Sequence, residues 1–161
     1  MKIATAKDIK QELTQRSPKE LLELCLRLSR FKKENKELLT YLLFEAADEA
    51  AYVESIKEEI DQQFEEITTK SYYLIKKSTR KILRNIKQHI RYSPKKETEV
   101  ELLLYFCTKL KALRPSIQGN NVLQNLFDRQ IDFIRKKLLL LHEDLQYDYT
   151  LELEKLLLRS T

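Results

Sequence analysis

One glycine, Gly119, stands in a chain of 161 residues, beside only three prolines. Tight hairpins, β-bulges and phosphate-cradling loops draw on glycine because it alone reaches positive φ without strain. A chain so short of it, and rich in Leu, Lys, Glu and Ile, is expected to be helical almost throughout. Its length suits a single domain, residues 1–161, able to bury roughly 70% of the surface its unfolded chain exposes, so neither a disulfide nor a metal is required for folding. Composition agrees: 42% hydrophobic and 34% charged is globular.

Capping signals and apolar spacing divide the chain into seven or eight helices. Thr5 with Asp8 starts a first helix over Ala6–Gln15, and Ser17-Pro18-Lys19-Glu20 is a capping box with proline at the first helical position. Leu21, Leu24, Cys25 and Leu28 then share a face, and after a polar break at Arg30–Lys36 so do Leu38, Leu39, Leu42, Leu43 and Ala46. A fourth helix over Asp48–Thr68 carries the stripe Val53, Ile56, Ile60, Phe64, Ile67, with Glu54, Glu58, Asp61 and Glu65 on its other side. A fifth, Lys70–Tyr92, turns Ile75, Thr79, Ile82, Ile86 and Ile90 inward. Ser93-Pro94 opens a sixth helix to about Leu113, with Val100, Leu103, Leu104, Cys107 and Leu110 as its core face. Arg114–Asn121 is a loop, and Asn121–Leu141 is a seventh helix with Leu123, Phe127, Gln130, Ile134 and Leu138 on one face. Its last residues, Leu138–Leu141, are apolar all round and predict close neighbours there. Tyr149–Leu158 is the last helix, reached through a turn at His142–Asp148. Short connections favour antiparallel neighbours, either in a compact orthogonal bundle or as helix pairs stacked in a superhelix.

Enzyme signatures are absent. With one glycine, no P-loop, dinucleotide loop or Gly-x-Ser-x-Gly elbow can be written. The two histidines, His89 and His142, have no second His or Cys at ligand spacing. His142-Glu143-Asp144 reads as a capped turn rather than a metal site, and Glu58 and Glu65 point away from the core without a histidine three residues on. Cys25 and Cys107 sit among leucines and read as buried free thiols. The sequence therefore predicts no catalytic residue, cofactor or metal. The longest unbroken apolar run, Leu102–Cys107, is far short of a membrane span. These features place the protein in the cytoplasm with no membrane partner.

Charge is the one chemically pointed feature. The chain carries 30 basic and 25 acidic residues, yet residues 68–96 hold ten Lys or Arg and no Asp or Glu, so the remainder is net negative. Just before them, residues 45–66 hold nine carboxylates and a single cation, Lys57. At 100° per residue, Lys76, Lys77, Arg80, Lys81, Arg84, Lys87 and Arg91 occupy an arc of about 140°, with Tyr73 on the same arc and the isoleucines opposite. Such a stripe can neutralise several phosphates. It can equally be matched by the acidic helix before it or be merely solvated.

The stretches SPKELLEL (17–24), KKSTRKILRNIKQHIRYS (76–93) and EVELLLYFCTKL (99–110) resemble small uncharacterised bacterial all-helical proteins, whose layout is similar to helical repeats of the armadillo and HEAT type. The resemblance covers about Ser17–Leu113, implies an α-α superhelix and brings no activity or site residues with it. The expected function is a non-enzymatic module that binds another protein or a second copy of itself. The alternative is nucleic-acid or polyanion binding through residues 70–96.

Overall fold

The computed structural model describes residues 1–158, which form eight α-helices and, among the described residues, no strand. The helices are α1 (Ala6–Thr14), α2 (Pro18–Phe31), α3 (Lys33–Thr40), α4 (Glu49–Glu65), α5 (Tyr72–Tyr92), α6 (Lys96–Ala112), α7 (Asn121–Leu138) and α8 (Glu143–Leu158). A π-helical turn, Tyr41–Glu45, follows α3, and a 3-10 turn, Ile117–Gly119, precedes α7. The sequence reads as one domain, whereas the packing separates into two compact units, Met1–Phe44 and the chain from Glu45 onward.

In the first unit the starts are as the caps predict. Thr5 and Ser17 each accept from the backbone N–H three residues on, and Asp8 and Glu20 reciprocate. The Ser17 backbone N–H donates to Glu20, which holds that carboxyl below its ordinary pKa. Only Lys32, extended at φ −142° and ψ 150°, interrupts the run between α2 and α3, and Asn35 closes the joint by donating to the Leu28 carbonyl at 2.8 Å. The expected apolar core is not formed inside this unit. Leu21 and Leu39 are half-buried, but Leu24, Cys25, Leu28, Leu38, Leu42 and Leu43 are exposed, as is Ala46 in the next unit. Two amphipathic helices in contact bury only one strip each, and α2 carries leucines around more of its circumference than α3 can cover.

The second unit is built around α6, which packs against α4, α5, α7 and α8. Val100, Leu102, Leu103, Phe106, Cys107 and Leu110 are each 0–1% exposed. The sequence predicts one core face here; α6 is instead buried on nearly every side, and the Leu102–Cys107 run is what a surrounded helix requires. Burial pushes the Cys107 thiol up to about 12. The surrounding helices each bury one stripe: Tyr52, Val53, Ile56, Ile60 and Phe64 from α4, and Ile75, Thr79, Ile82, Leu83 and Ile86 from α5. From α7 come Leu123, Leu126, Phe127, Ile131 and Ile134, and from α8 Leu153 and Leu156. Each such side chain contributes roughly 1.5–3 kcal/mol.

Several boundaries differ from expectation, among them the end of α4 at Glu65 and the start of α5 at Tyr72. Ser93 does not cap α6, which begins at Lys96; its hydroxyl donates to Glu49, which also accepts from Thr98 at 2.6 Å. Helix α7 stops at Leu138, so Leu139 and Leu140 lie exposed in a turn while Leu141 is buried. Helix α8 starts at Glu143, and His142, not Asp144 or Asp148, provides the local acceptor: its Nδ1 takes the Asp144 N–H at 3.3 Å.

Gly119 is required by close approach and not by backbone conformation, since no described residue has positive φ. The Tyr72 hydroxyl donates to the Ser116 carbonyl at 2.8 Å, and a Cβ on Gly119 would fall 2.2 Å from that oxygen. Gly119→Ala is therefore expected to destabilise the fold by about 1–3 kcal/mol in urea titrations. The loss should shrink in a Tyr72→Phe background, where the clashing oxygen is gone. Equal losses in both backgrounds would refute this account.

Candidate polyanion interface on α5

Helix α5 is held by its inner face. Ile75 and Ile86 are 0–1% exposed, and Thr79 turns its hydroxyl back to the Ile75 carbonyl at 2.9 Å, so it enters the core with its polar atom satisfied. At the other end Tyr52 of α4 donates to the His89 carbonyl at 2.9 Å, one of the last four carbonyls that no helical N–H can reach. These anchors fix the rotation of the helix about its axis. Lys77, Arg80, Lys81, Arg84, Lys87 and Arg91 are exposed as a consequence, Lys76 is half-buried at the margin, and Tyr73 is 71% exposed at the N-terminal end.

The acidic helix does not neutralise them. Among the described residues, no carboxylate oxygen lies within 4.0 Å of a charged nitrogen in any of the seven cations. The edge between α4 and α5 is joined by other groups: Asn85 with Gln63 at 3.4 Å, and His89 with Glu59 at 3.3 Å, an ion pair only when the imidazole is protonated. Lys87 has a non-carboxylate neighbour, with its Nζ 5.9 Å from the centre of the Phe133 ring of α7.

Two other charged residues of α4, Lys57 and Asp61, turn toward α6. Lys57 reaches Glu101 at 2.7 Å and Glu54 at 2.8 Å, and Tyr149 of α8 donates to the second oxygen of Glu101 at 3.1 Å. Burial would lower the Lys57 pKa, but the two carboxylates outweigh it and raise it; burial, with Glu101 beside it, pushes the Tyr149 hydroxyl up. Asp61 accepts from Tyr105 at 2.8 Å and meets Lys109 at 2.6 Å. On the α7 side Lys137 pairs with Glu99 at 3.0 Å. The sequence places Asp61 on the side of α4 away from the apolar stripe; its partners lie 44 or more residues along the chain, where no local periodicity points to them. Glu54, Glu58 and Glu65 are exposed as expected.

Other sequence candidates stay apart. His142 and Asp144 lie 3.6 Å from each other on the surface, and among the described residues no three His, Cys, Asp or Glu side chains gather as a metal site. A cleft of about 390 Å³ between α6 and α8 is lined by Lys111, Arg114, Glu152 and Lys155. Lys111 donates there to the Leu156 and Leu157 carbonyls, satisfying the end of α8. No helix among the described residues is long and apolar enough to cross a membrane. Comparison with protein families, with curated protein sequences and with solved structures found no match.

The Asp61 contacts carry a pH dependence of known sign. Partial burial would raise its carboxyl, but Lys109 and Tyr105 outweigh this and lower it below its ordinary range. A group depressed in the folded state stabilises above its unfolded pKa, about 4, and loses that contribution as pH falls through the folded value. Asp61→Asn should therefore lower the urea midpoint at pH 7, with a smaller difference from wild type near pH 2. A difference of the same size at both pH values would contradict the assignment.

Proposed function

We propose that the chain is a non-enzymatic helical interaction module and that the outer face of α5 is the surface it offers to a polyanion. One observation carries the reading: seven cations on one arc, six of them exposed, with no carboxylate in contact. Other ionisable groups, Lys57, Glu101, Asp61, Lys109 and Lys111 among them, are engaged in holding helices together. The reading places the protein in the cytoplasm, where the exposed Cys25 thiol stays reduced.

Immobilised heparin should retain the protein at low salt and release it steeply as salt rises. Replacing Arg80, Arg84 and Lys87 together by Glu should abolish retention without changing the helical circular dichroism. The same charge change at exposed Lys7, Lys10 and Lys19 should leave most of it, which separates the local stripe from net charge. Equal loss in both variants, or no retention at low salt, would sink the proposal.

A protein partner, a second copy included, is the other reading, favoured by the apolar exposure of the first unit. Leu22, Leu28, Phe31, Leu42, Leu43 and Phe44 are each 57–77% exposed, more than isolated surface leucines explain. For self-pairing, sedimentation velocity should give a mass that rises with concentration, and Leu28→Glu with Leu42→Glu should hold it at the monomer value. A wild-type chain that stays monomeric throughout would remove the self-pairing form.

A further inference from the structure

We infer that the polyanion is nucleic acid, bound through its phosphate backbone without reading the sequence; this rests on the assignment of the α5 face just proposed. The argument begins with the shape of the charge. Lys77, Arg80, Arg84, Lys87 and Arg91 step by three and four residues, so they form a line parallel to the helix axis, with Lys76 and Lys81 beside it. From Lys77 to Arg91 the line runs about 21 Å at 1.5 Å per residue. Each strand of a duplex presents a phosphate about every 3.4 Å of axis, so the line spans about six phosphates of one strand. A straight, one-signed row matches a linear array of like charges.

The chemistry around the row favours nucleic acid over other polyanions. Protein interfaces centre on desolvated aromatic or apolar anchors. Between Lys76 and Arg91 no large hydrophobic side chain is exposed; Tyr73 and Leu74 precede the row. Membrane-surface helices insert an apolar face, but Ile75, Ile82 and Ile86 of α5 are committed to the core at 0–3% exposure. Guanine can be read by an Arg or Lys fork, but reading adenine draws on a free amide. Both amides of this segment are engaged within the fold: Asn85 donates to Gln63 at 3.4 Å and Gln88 to the Tyr92 hydroxyl at 3.1 Å. Binding is therefore set by phosphates, and Tyr73 at the end of the row is placed to stack an unpaired base where the strand is single.

The test is fluorescence anisotropy of the full chain with labelled 30-mers, duplex and single-stranded, each in three unrelated sequences, from 50 to 200 mM salt. Duplex affinity should fall about a thousandfold over that range if about six phosphates are neutralised, and single strands should show a shallower slope. Arg84→Ala should reduce the slope by about one, equally for all sequences. Tyr73→Ala should weaken the single strands more than the duplex. Poly-glutamate of matched charge and anionic vesicles should bind at least tenfold more weakly than either nucleic acid. If poly-glutamate or vesicles bind as well as nucleic acid, this inference fails while the polyanion face stands. Absence of binding by all of them overturns both, and a tenfold preference among sequences refutes backbone recognition.

Discussion

Everything in the larger unit follows from burying α6 on nearly every side. A helix with Leu102, Leu103, Phe106, Cys107 and Leu110 at 0–1% exposure needs neighbours all round, and α4, α5, α7 and α8 fill those places. Truncating one such leucine to alanine typically costs about 2–5 kcal/mol, a large share of the stability of a domain this size. Helices that surround a core helix give it one stripe and keep the opposite one for solvent. The outward position of the cations on α5 is thus a consequence of what α6 demands of Ile75, Ile82 and Ile86, with no interaction of the cations themselves required. The half-buried polar rim of α6 adds alignment: Glu101, Tyr105 and Lys109 engage Lys57 and Asp61 of α4, and Glu99 engages Lys137 of α7.

The shortage of glycine has a second consequence, at the helix ends. Many helices finish on a glycine in the left-handed region, which satisfies the last carbonyls from the backbone. No described residue here adopts positive φ. Distant or flanking side chains take over instead: Asn35 at Leu28, Tyr52 at His89, and Lys111 at Leu156 and Leu157. Some of these caps reach 37 to 46 residues along the chain, so a helix end is completed only when its neighbour has docked. The caps couple helix formation to tertiary packing, which raises cooperativity beyond what buried area alone provides.

How much of this the sequence announces depends on the range of the physics. Caps within four residues were legible: Thr5–Asp8 and Ser17–Glu20 form as read, and the predicted inward residues of α4 and α5 are buried apart from Ile67, beyond the end of α4, and Ile90, both half-buried; Tyr52, Leu83 and Tyr92 are buried in addition. The basic arc was legible because rotation about a helix axis follows from a stripe of isoleucines. What failed was anything set by a partner elsewhere. Ser93-Pro94 repeats the letters of Ser17-Pro18, but Glu49 captures the Ser93 hydroxyl, and the helix starts later. Leucine spacing in α2 predicts a face without saying whether the chain supplies its cover, and Cys25 with Leu28 remain exposed. One core face is legible on α6, not its burial on nearly every side, and the run read as surrounded, Leu138–Leu141, leaves Leu139 and Leu140 exposed.

Helix α5 also departs from local rules in a way that packing alone does not explain. Its N-cap Ser71 makes no side-chain cap bond, and its first turn holds no acid. Along its outer arc Lys76–Arg80, Lys77–Lys81, Arg80–Arg84 and Lys87–Arg91 are like charges at i,i+4, each of which weakens a helix by about 0.2–0.5 kcal/mol. Alternating Glu with Lys would reverse that sign at no expense to the core, and α4 and α6 have carboxylates to spare for such a pattern. Burial of five or six apolar side chains, at roughly 1.5–3 kcal/mol each, outweighs the repulsion and keeps the helix formed. The repulsion is therefore tolerated rather than relieved. A surface whose local choices oppose its own helix, while every inward choice agrees with the fold, is where a requirement other than stability acts. Phosphates laid along the arc, as proposed for this face, would remove that repulsion, so the same seven charges that weaken the free helix would supply the affinity of such a complex.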